Sequence, residues 1–143
     1  MALSAAITRE FEGVYEVIEP KAAASDIYYK GAILCYDSNG YVAVPSDTAA
    51  LAVAGIYSGK AEDGVNDNAY SVAASTYPRL ALIRGKTWMP YSSAAQARCG
   101  EIFYVSDDGT MTQTAGSKTV GYYALDFKTG YMLFDFRVPD RIA

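Results

Sequence analysis

The residues able to carry chemistry fall into a few small groups. Gly85-Lys86-Thr87 ends like a phosphate-binding loop, in which backbone N–H groups and a lysine cradle phosphate, but the first glycine of that motif falls at position 80. Leu80 stands there, inside a strand-like pattern. Gly55-Ile-Tyr-Ser-Gly59-Lys60 has the wrong spacing, and Ala61 occupies the place of the hydroxyl that must reach magnesium. Glu62, Asp63, Asn66 and Asp67 offer the oxygen ligands calcium prefers, without the alternating aspartates and closing glutamate of a calcium loop. A solvated loop is the simpler reading. Asp107-Asp108 matches a catalytic carboxylate pair by type only, since strand neighbours point to opposite faces and Asp108-Gly109 reads as a turn. The chain has no histidine, which removes Ser/His/Asp and Cys/His arrangements, the HExxH zinc site and the imidazole base. With no nucleophile beside an activating base, the chain reads as a non-enzyme, with no cofactor and no metal.

Two cysteines, Cys35 and Cys99, are too few for a disulfide scaffold and lack CxxC spacing. They read as two reduced, packed thiols, with a single Cys35–Cys99 bridge left open. The net charge of −4 argues against a surface that tracks phosphates, so nucleic acid is not an expected partner. The N-terminal residues lack the basic and apolar regions of a signal peptide, and the longest nearly apolar run, Ala49 to Tyr57, is far short of a membrane span. No membrane association is expected. The thirteen tyrosines and Trp88 could form a sugar-binding platform, but tyrosine is also ordinary material for sheets and protein interfaces. Sheet packing is expected for Tyr28, Tyr29, Tyr36, Tyr41, Tyr57, Tyr122 and Tyr123. Trp88, Met89 and Tyr91 are the secondary interface candidates.

The elements that would position these residues are strands. Half of the 143 residues are hydrophobic (51%) and only 20% charged, enough to build a core at this length. Gly, Asn, Asp and Ser punctuate stretches rich in Tyr, Val and Ile, an all-β rhythm. Tyr131 to Val138 alternates, with Met132, Phe134, Phe136 and Val138 on one face and Asp135 and Arg137 on the other. Thr119–Leu125 is expected to pair with it across a loop, Asp126–Gly130. Leu80–Ile83 and Trp88-Met89 read as a core strand ending at Pro90, Gly59–Asn68 as a loop, and Ser92–Arg98 as one short helix.

Laid on itself with a shift of 69 residues, Gly31-Ala-Ile33 to Asn39-Gly40 matches Gly100-Glu-Ile102 to Asp108-Gly109. Each copy reads as strand, tight turn, strand, with a further strand downstream. The expected architecture is a small barrel or sandwich built from these two related β units. Residues 1–26 stand apart from a β domain at 27–143. They hold Ile7, Phe11, Val14, Tyr15, Val17 and Ile18 among four glutamates, apolar surface that something must cover. An extended arm that adds to another chain's sheet and a first strand of the chain's own sheet are both open readings.

Lys30-Gly-Ala-Ile33 with Asp37-Ser-Asn-Gly40, Pro45-Ser-Asp47-Thr-Ala-Ala leading into Val53-Ala-Gly55-Ile, Cys99-Gly-Glu-Ile102-Phe-Tyr-Val105, and Thr119-Val-Gly121 before a last hydrophobic strand together resemble the bacteriophage capsid decoration, or head cement, proteins. The resemblance covers about residues 28 to 138 and rests on glycines and turns, so no functional residue is carried over one by one. It implies a virion structural protein, made in the host bacterial cytoplasm, that binds the capsid exterior where major capsid protein subunits meet. Such proteins usually bind as homotrimers, often with an N-terminal arm added to neighbouring sheets. In that frame Ile7, Phe11, Val14, Tyr15, Val17 and Ile18 are the expected capsid-binding residues. The alternative is a carbohydrate- or receptor-binding module of a viral fibre, built around Trp88 and Tyr91.

Overall fold

The structure, a computed structural model, describes residues 2–45, 52–62, 68–116, 120–137 and 140–141. Within them the chain is all-β. In order come β1 (Phe11–Ile18), β2 (Ile27–Tyr29), β3 (Ile33–Tyr36), β4 (Val42–Ala43), β5 (Val53–Ala61), β6 (Ala69–Ser71) and β7 (Leu80–Pro90). After a single 3₁₀ turn, Gln96–Arg98, follow β8 (Ile102–Val105), β9 (Met111–Thr112), β10 (Val120–Tyr123), β11 (Asp126–Lys128), β12 (Tyr131–Asp135) and β13 (Asp140–Arg141).

The long strand β7 organises the seven-stranded sheet. Its first half pairs with β5 through Leu80–Ile83, its second half with β12 through Lys86–Pro90, and β1 pairs with it between Leu82 and Thr87, all antiparallel. β3 and β4 extend the sheet beyond β5, and β11 beyond β12. A four-stranded sheet, β13-β10-β8-β9, and a two-stranded sheet, β2-β6, complete the fold.

The two β units of the sequence are two copies of one strand arrangement. In the first, β3 lies between β4 and β5; in the second, β8 lies between β9 and β10. The hairpin registers coincide under the same 69-residue shift: Cys35↔Ala43 and Tyr36↔Val42 correspond to Tyr104↔Thr112 and Val105↔Met111. The turns correspond too, since Asp37 N–H donates to the Tyr41 carbonyl at 2.8 Å and Ser106 N–H to the Thr110 carbonyl at 2.9 Å.

Strand alternation divides the core in two. Ile33 and Cys35 face one cluster with Ile56, Met89, Met132 and Phe134, where the large sheet meets Phe103, Val105, Val120 and Tyr122 of the four-stranded sheet. Leu34 faces the other with Tyr57, Leu80 and Leu82, against which Tyr28 of β2 packs. The large sheet is therefore covered on both faces, and each buried side chain of this size contributes on the order of 1.5–3 kcal/mol.

Several local expectations change. β10 does not pair with β12; it pairs with β8 and β13, and the hairpin partner of β12 is β11, inside the segment read as a loop. The turn is Thr129-Gly130, tighter than expected, with Gly130 at φ +81° between the Lys128↔Tyr131 pair. The expected helix Ser92–Arg98 is only the 3₁₀ turn, because Ala95 precedes it in extended conformation with no side-chain cap. β5 continues to Ala61, into the segment read as a loop. Gly85-Lys86-Thr87 lies within β7, a strand and not a phosphate loop. Val138, residues 46–51 and Asp63, Asn66 and Asp67 lie outside the described residues.

The segment read either as an arm or as a first strand of the chain's own sheet is paired within this chain. β1 is a strand of the seven-stranded sheet. Ahead of it, Leu3 N–H donates to Asp108 Oδ1 at 2.8 Å, Ile7 N–H to the Lys30 carbonyl at 2.9 Å and Trp88 N–H to the Glu10 carbonyl at 3.0 Å. Residues 3–10 thus strap β7 to both β units. Gly31 permits the close approach: its φ is +88°, and a Cβ there would lie 2.5 Å from the Ile7 carbonyl oxygen.

Candidate functional site

Two adjoining surfaces draw on the first twenty residues. On β1, pairing runs Phe11↔Thr87 and Glu12↔Lys86, then resumes at Glu16↔Arg84. Three residues, Gly13, Val14 and Tyr15, stand opposite Gly85 alone, a bulge with two extra residues. Gly85 lets it form, since a Cβ there would come within 2.8 Å of Tyr15 Cβ. Within the bulge Val14 is 84% and Tyr15 51% exposed, and beyond it Val17, paired with Ile83, is 54% exposed. β1 pairs with β7 alone among the described strands, with Glu12 and Glu16 exposed along it and Glu19 exposed just beyond its end. Glu16 faces Arg84 at 3.6 Å. Beside Tyr15 and Val17 opens a groove of about 480 Å³, walled by Ser58, Ala81 and Ile83 and rimmed by Lys60, Glu62 and Arg79.

The second surface is a cleft of about 450 Å³ between residues 7–10 and Trp88, Pro90, Lys128 and Tyr131. Lys128 Nζ lies 2.7 Å from Glu10 Oε2, 4.7 Å from the centre of the Trp88 ring and 5.3 Å from that of Tyr131. Trp88 Nε1–H donates to Glu12 Oε1 at 2.9 Å, which fixes the indole. Arg9 is buried; its Nε–H donates to the Gly31 carbonyl at 2.8 Å, and its Nη2 has no hydrogen-bond partner. Burial pulls the guanidinium down to about 10, opposed by the charges of Asp108 and Tyr131. Asp108 is itself buried, and burial raises its carboxyl above the usual aspartate range.

Of the six capsid-binding candidates, Val14, Tyr15 and Val17 are on the surface. Phe11 and Ile18 are half-buried and pack against the two core clusters, and half-buried Ile7 sits in the strap. Met89 is fully buried in the core and presents nothing to a partner, because β7 alternation turns it inward. Trp88 is buried to 7% exposure but walls the cleft. Tyr91 is half-buried, edge-on to Phe103 at 4.9 Å, with its hydroxyl 3.2 Å from Gln113 Oε1. Arg9, Lys128 and Tyr131 were not legible as site residues. Tyr131 meets Trp88 through the β12–β7 register and Lys128 through the β11–β12 hairpin stacked on it, and nothing in the sequence marks Arg9 as buried.

No protein-family model and no curated protein matches the chain. Its fold is similar to that of a chain in the solved structure of the capsid of Myoviridae phage XM1. The TM-score is 0.52 at 14% sequence identity, over 94% of this chain and 91% of that one. At this identity the likeness is one of fold.

Proposed function

We propose that this protein is a structural component of a bacteriophage virion that binds the capsid exterior and stabilises the lattice of the major capsid protein, acting as a homotrimer. The observation that carries the reading is the fold likeness, over nearly the whole chain, to a chain of a phage capsid. The surface of β1 suits such a role. Val14, Tyr15 and Val17 form an exposed apolar row on a strand with charged flanks, the composition of a docking strip. Glu12, Glu16 and Glu19 favour a basic rim on the partner and disfavour nucleic acid. Phe11 and Ile18 anchor this strand to the two core clusters, Ile7 belongs to the strap ahead of it, and Trp88 and Tyr91 belong to a second contact. A lattice repeats its sites, so a trimer gains avidity without a large contact per copy.

The test is co-sedimentation of the purified protein with empty, expanded capsids of its phage, followed by reconstruction of the decorated shell. The protein is expected to pellet with the shells and to appear as trimers. Val14→Ser with Val17→Ser should weaken binding at least tenfold while leaving the melting temperature within a few degrees, because both side chains are already exposed. Failure to bind, or single copies away from three-fold positions, would overturn the reading.

A further inference from the structure

We infer that Asn39 is a site of spontaneous covalent modification, at which the side-chain amide is lost through a cyclic imide formed with the Gly40 nitrogen. The two β units hold the same turn in opposite states. Under the 69-residue shift Asn39-Gly40 corresponds to Asp108-Gly109. Asp108 is buried, its Oδ1 accepts from the Leu3 N–H at 2.8 Å and its carbonyl from the Ile33 N–H at 2.8 Å, and the Gly109 N–H donates to Asp107 Oδ1 at 2.9 Å. Asn39 is exposed between exposed Ser38 and Gly40, and its side chain has no hydrogen-bond partner among the described residues. Gly40, at φ +84°, has no side chain to shield its nitrogen, and a Cβ there would meet nothing within 4 Å.

The chemistry follows from that opening. The Gly40 nitrogen gives its proton to hydroxide and attacks Asn39 Cγ; a C–N bond forms, and the amide nitrogen leaves as ammonia with a proton from water. Water then opens the five-membered ring at either carbonyl. One product is aspartate at position 39, the other an isoaspartate whose main chain runs through the β-carbon, and no oxidant or reductant takes part. Either adds a negative charge beside Asp37. The isoaspartate also lengthens the turn that sets Tyr36 opposite Val42 and holds the Tyr41 ring on Tyr77 at 4.4 Å. Asp37 gates the reaction. Its carbonyl accepts from the Gly40 N–H at 3.1 Å, and its Oδ1 from the Asn39 and Tyr41 N–H groups at 2.8 and 3.0 Å. The nitrogen is freed when the hairpin tip opens, a local event that leaves the core closed. The site stands independently of the capsid reading.

The experiment incubates the intact protein in mildly alkaline buffer and follows its tryptic peptides by mass spectrometry. Peptide 31–60 holds Asn39 as its only side-chain amide. It is expected to gain the mass of an amide-to-acid exchange and to split into aspartate and isoaspartate forms. Hydroxylamine added during incubation should trap the ring and cleave the chain after residue 39. The peptide with Asn66 and Asn68 should change at least tenfold more slowly, because Asp67 and Ala69 carry side chains beside the attacking nitrogen. Asp108-Gly109 should form isoaspartate only in urea. Asp37→Ala, melting within a few degrees of the parent, should convert severalfold faster at Asn39, and Asn39→Gln should not convert. An unchanged Asn39 in the folded protein, over a time in which the chain in urea converts, would overturn the site, as would earlier conversion at Asn68. An Asp37→Ala rate equal to the parent's would overturn the gate.

Discussion

The backbone N–H of Val53 donates to the hydroxyl of Tyr122 at 2.8 Å, a buried hydrogen bond that ties β5 of one β unit to β10 of the other. The Tyr122 ring is fully buried and stands edge-on to Phe136 at 5.1 Å. Burial raises the phenol above its ordinary range, so it stays neutral. The two units are therefore joined by this polar contact within the apolar cluster, and by a second from the Ile33 N–H to the Asp108 carbonyl at 2.8 Å.

Removing that hydroxyl leaves a buried N–H with no partner. Tyr122→Phe is expected to cost about 1–3 kcal/mol, read as a lower midpoint in urea with an unchanged slope. A neutral result would mean that water reaches Val53 and that the bond is not a joint between the units.

The duplication was legible because its turns are written in Asp, Asn and Gly at fixed intervals, and the hairpin registers repeat at the interval read from those residues. The faces of β3, β7 and β12 were equally plain from alternation around Ile33-Leu34-Cys35 and Met132, Phe134 and Phe136. Pairing between distant strands was not. Nothing in Thr119–Leu125 says that it prefers Phe103 to Phe134, since both offer an apolar partner, and that choice is made by packing of the whole layer. The site was half legible for the same reason. Apolar residues of β1 stood out, but which of them face water depends on a bulge opposite Gly85, and the cleft depends on the register that sets Leu133 opposite Trp88 and Tyr131 opposite Pro90.

Both thiols are free. Cys35 is buried in the core, and burial pushes it up to about 12, whereas Cys99 is half-buried. Iodoacetamide at pH 8 is expected to modify Cys99 in the native protein and Cys35 only after unfolding, as mass spectrometry of the digested chain would show. Reductant should leave the melting temperature unchanged. Cys35→Ala should cost about 1 kcal/mol or somewhat more through lost packing.

Two aspartates set opposing responses to acid. At Asp135 burial alone raises the carboxyl, but the hydrogen bonds and charge of Arg137, 3.0 Å away, bring it below the usual range. Its contribution to stability is present above the unfolded value of about 3.9 and is lost as pH falls through the folded one. Asp108 is raised by burial, a shift opposed by its bond from Leu3, so its ionised form is a cost that acid relieves. Asp135→Asn should flatten the loss of stability between pH 5 and pH 2. Asp108→Asn, which keeps an oxygen for Leu3, should steepen it. Urea midpoints across that range check both signs.

The N-terminal residues decide whether the docking strip and the fold can be separated. A chain beginning at Ser25 loses β1, uncovers the β7 positions it pairs with and breaks the bonds that Leu3, Ile7, Arg9 and Glu10 make to the rest of the molecule. It also removes Phe11 and Ile18 from the edges of both core clusters. Each half-buried side chain is worth on the order of 1 kcal/mol or more, against a total stability of about 5–15 kcal/mol, so the shortened chain should be strongly destabilised or unfolded by circular dichroism. Phe11→Ala should share part of that cost, which makes it a poor probe of docking, whereas Val14→Ser and Val17→Ser change only exposed surface. A shortened chain that melts like the full one would show that β1 rests on the sheet without stabilising it, free to leave and pair with another subunit.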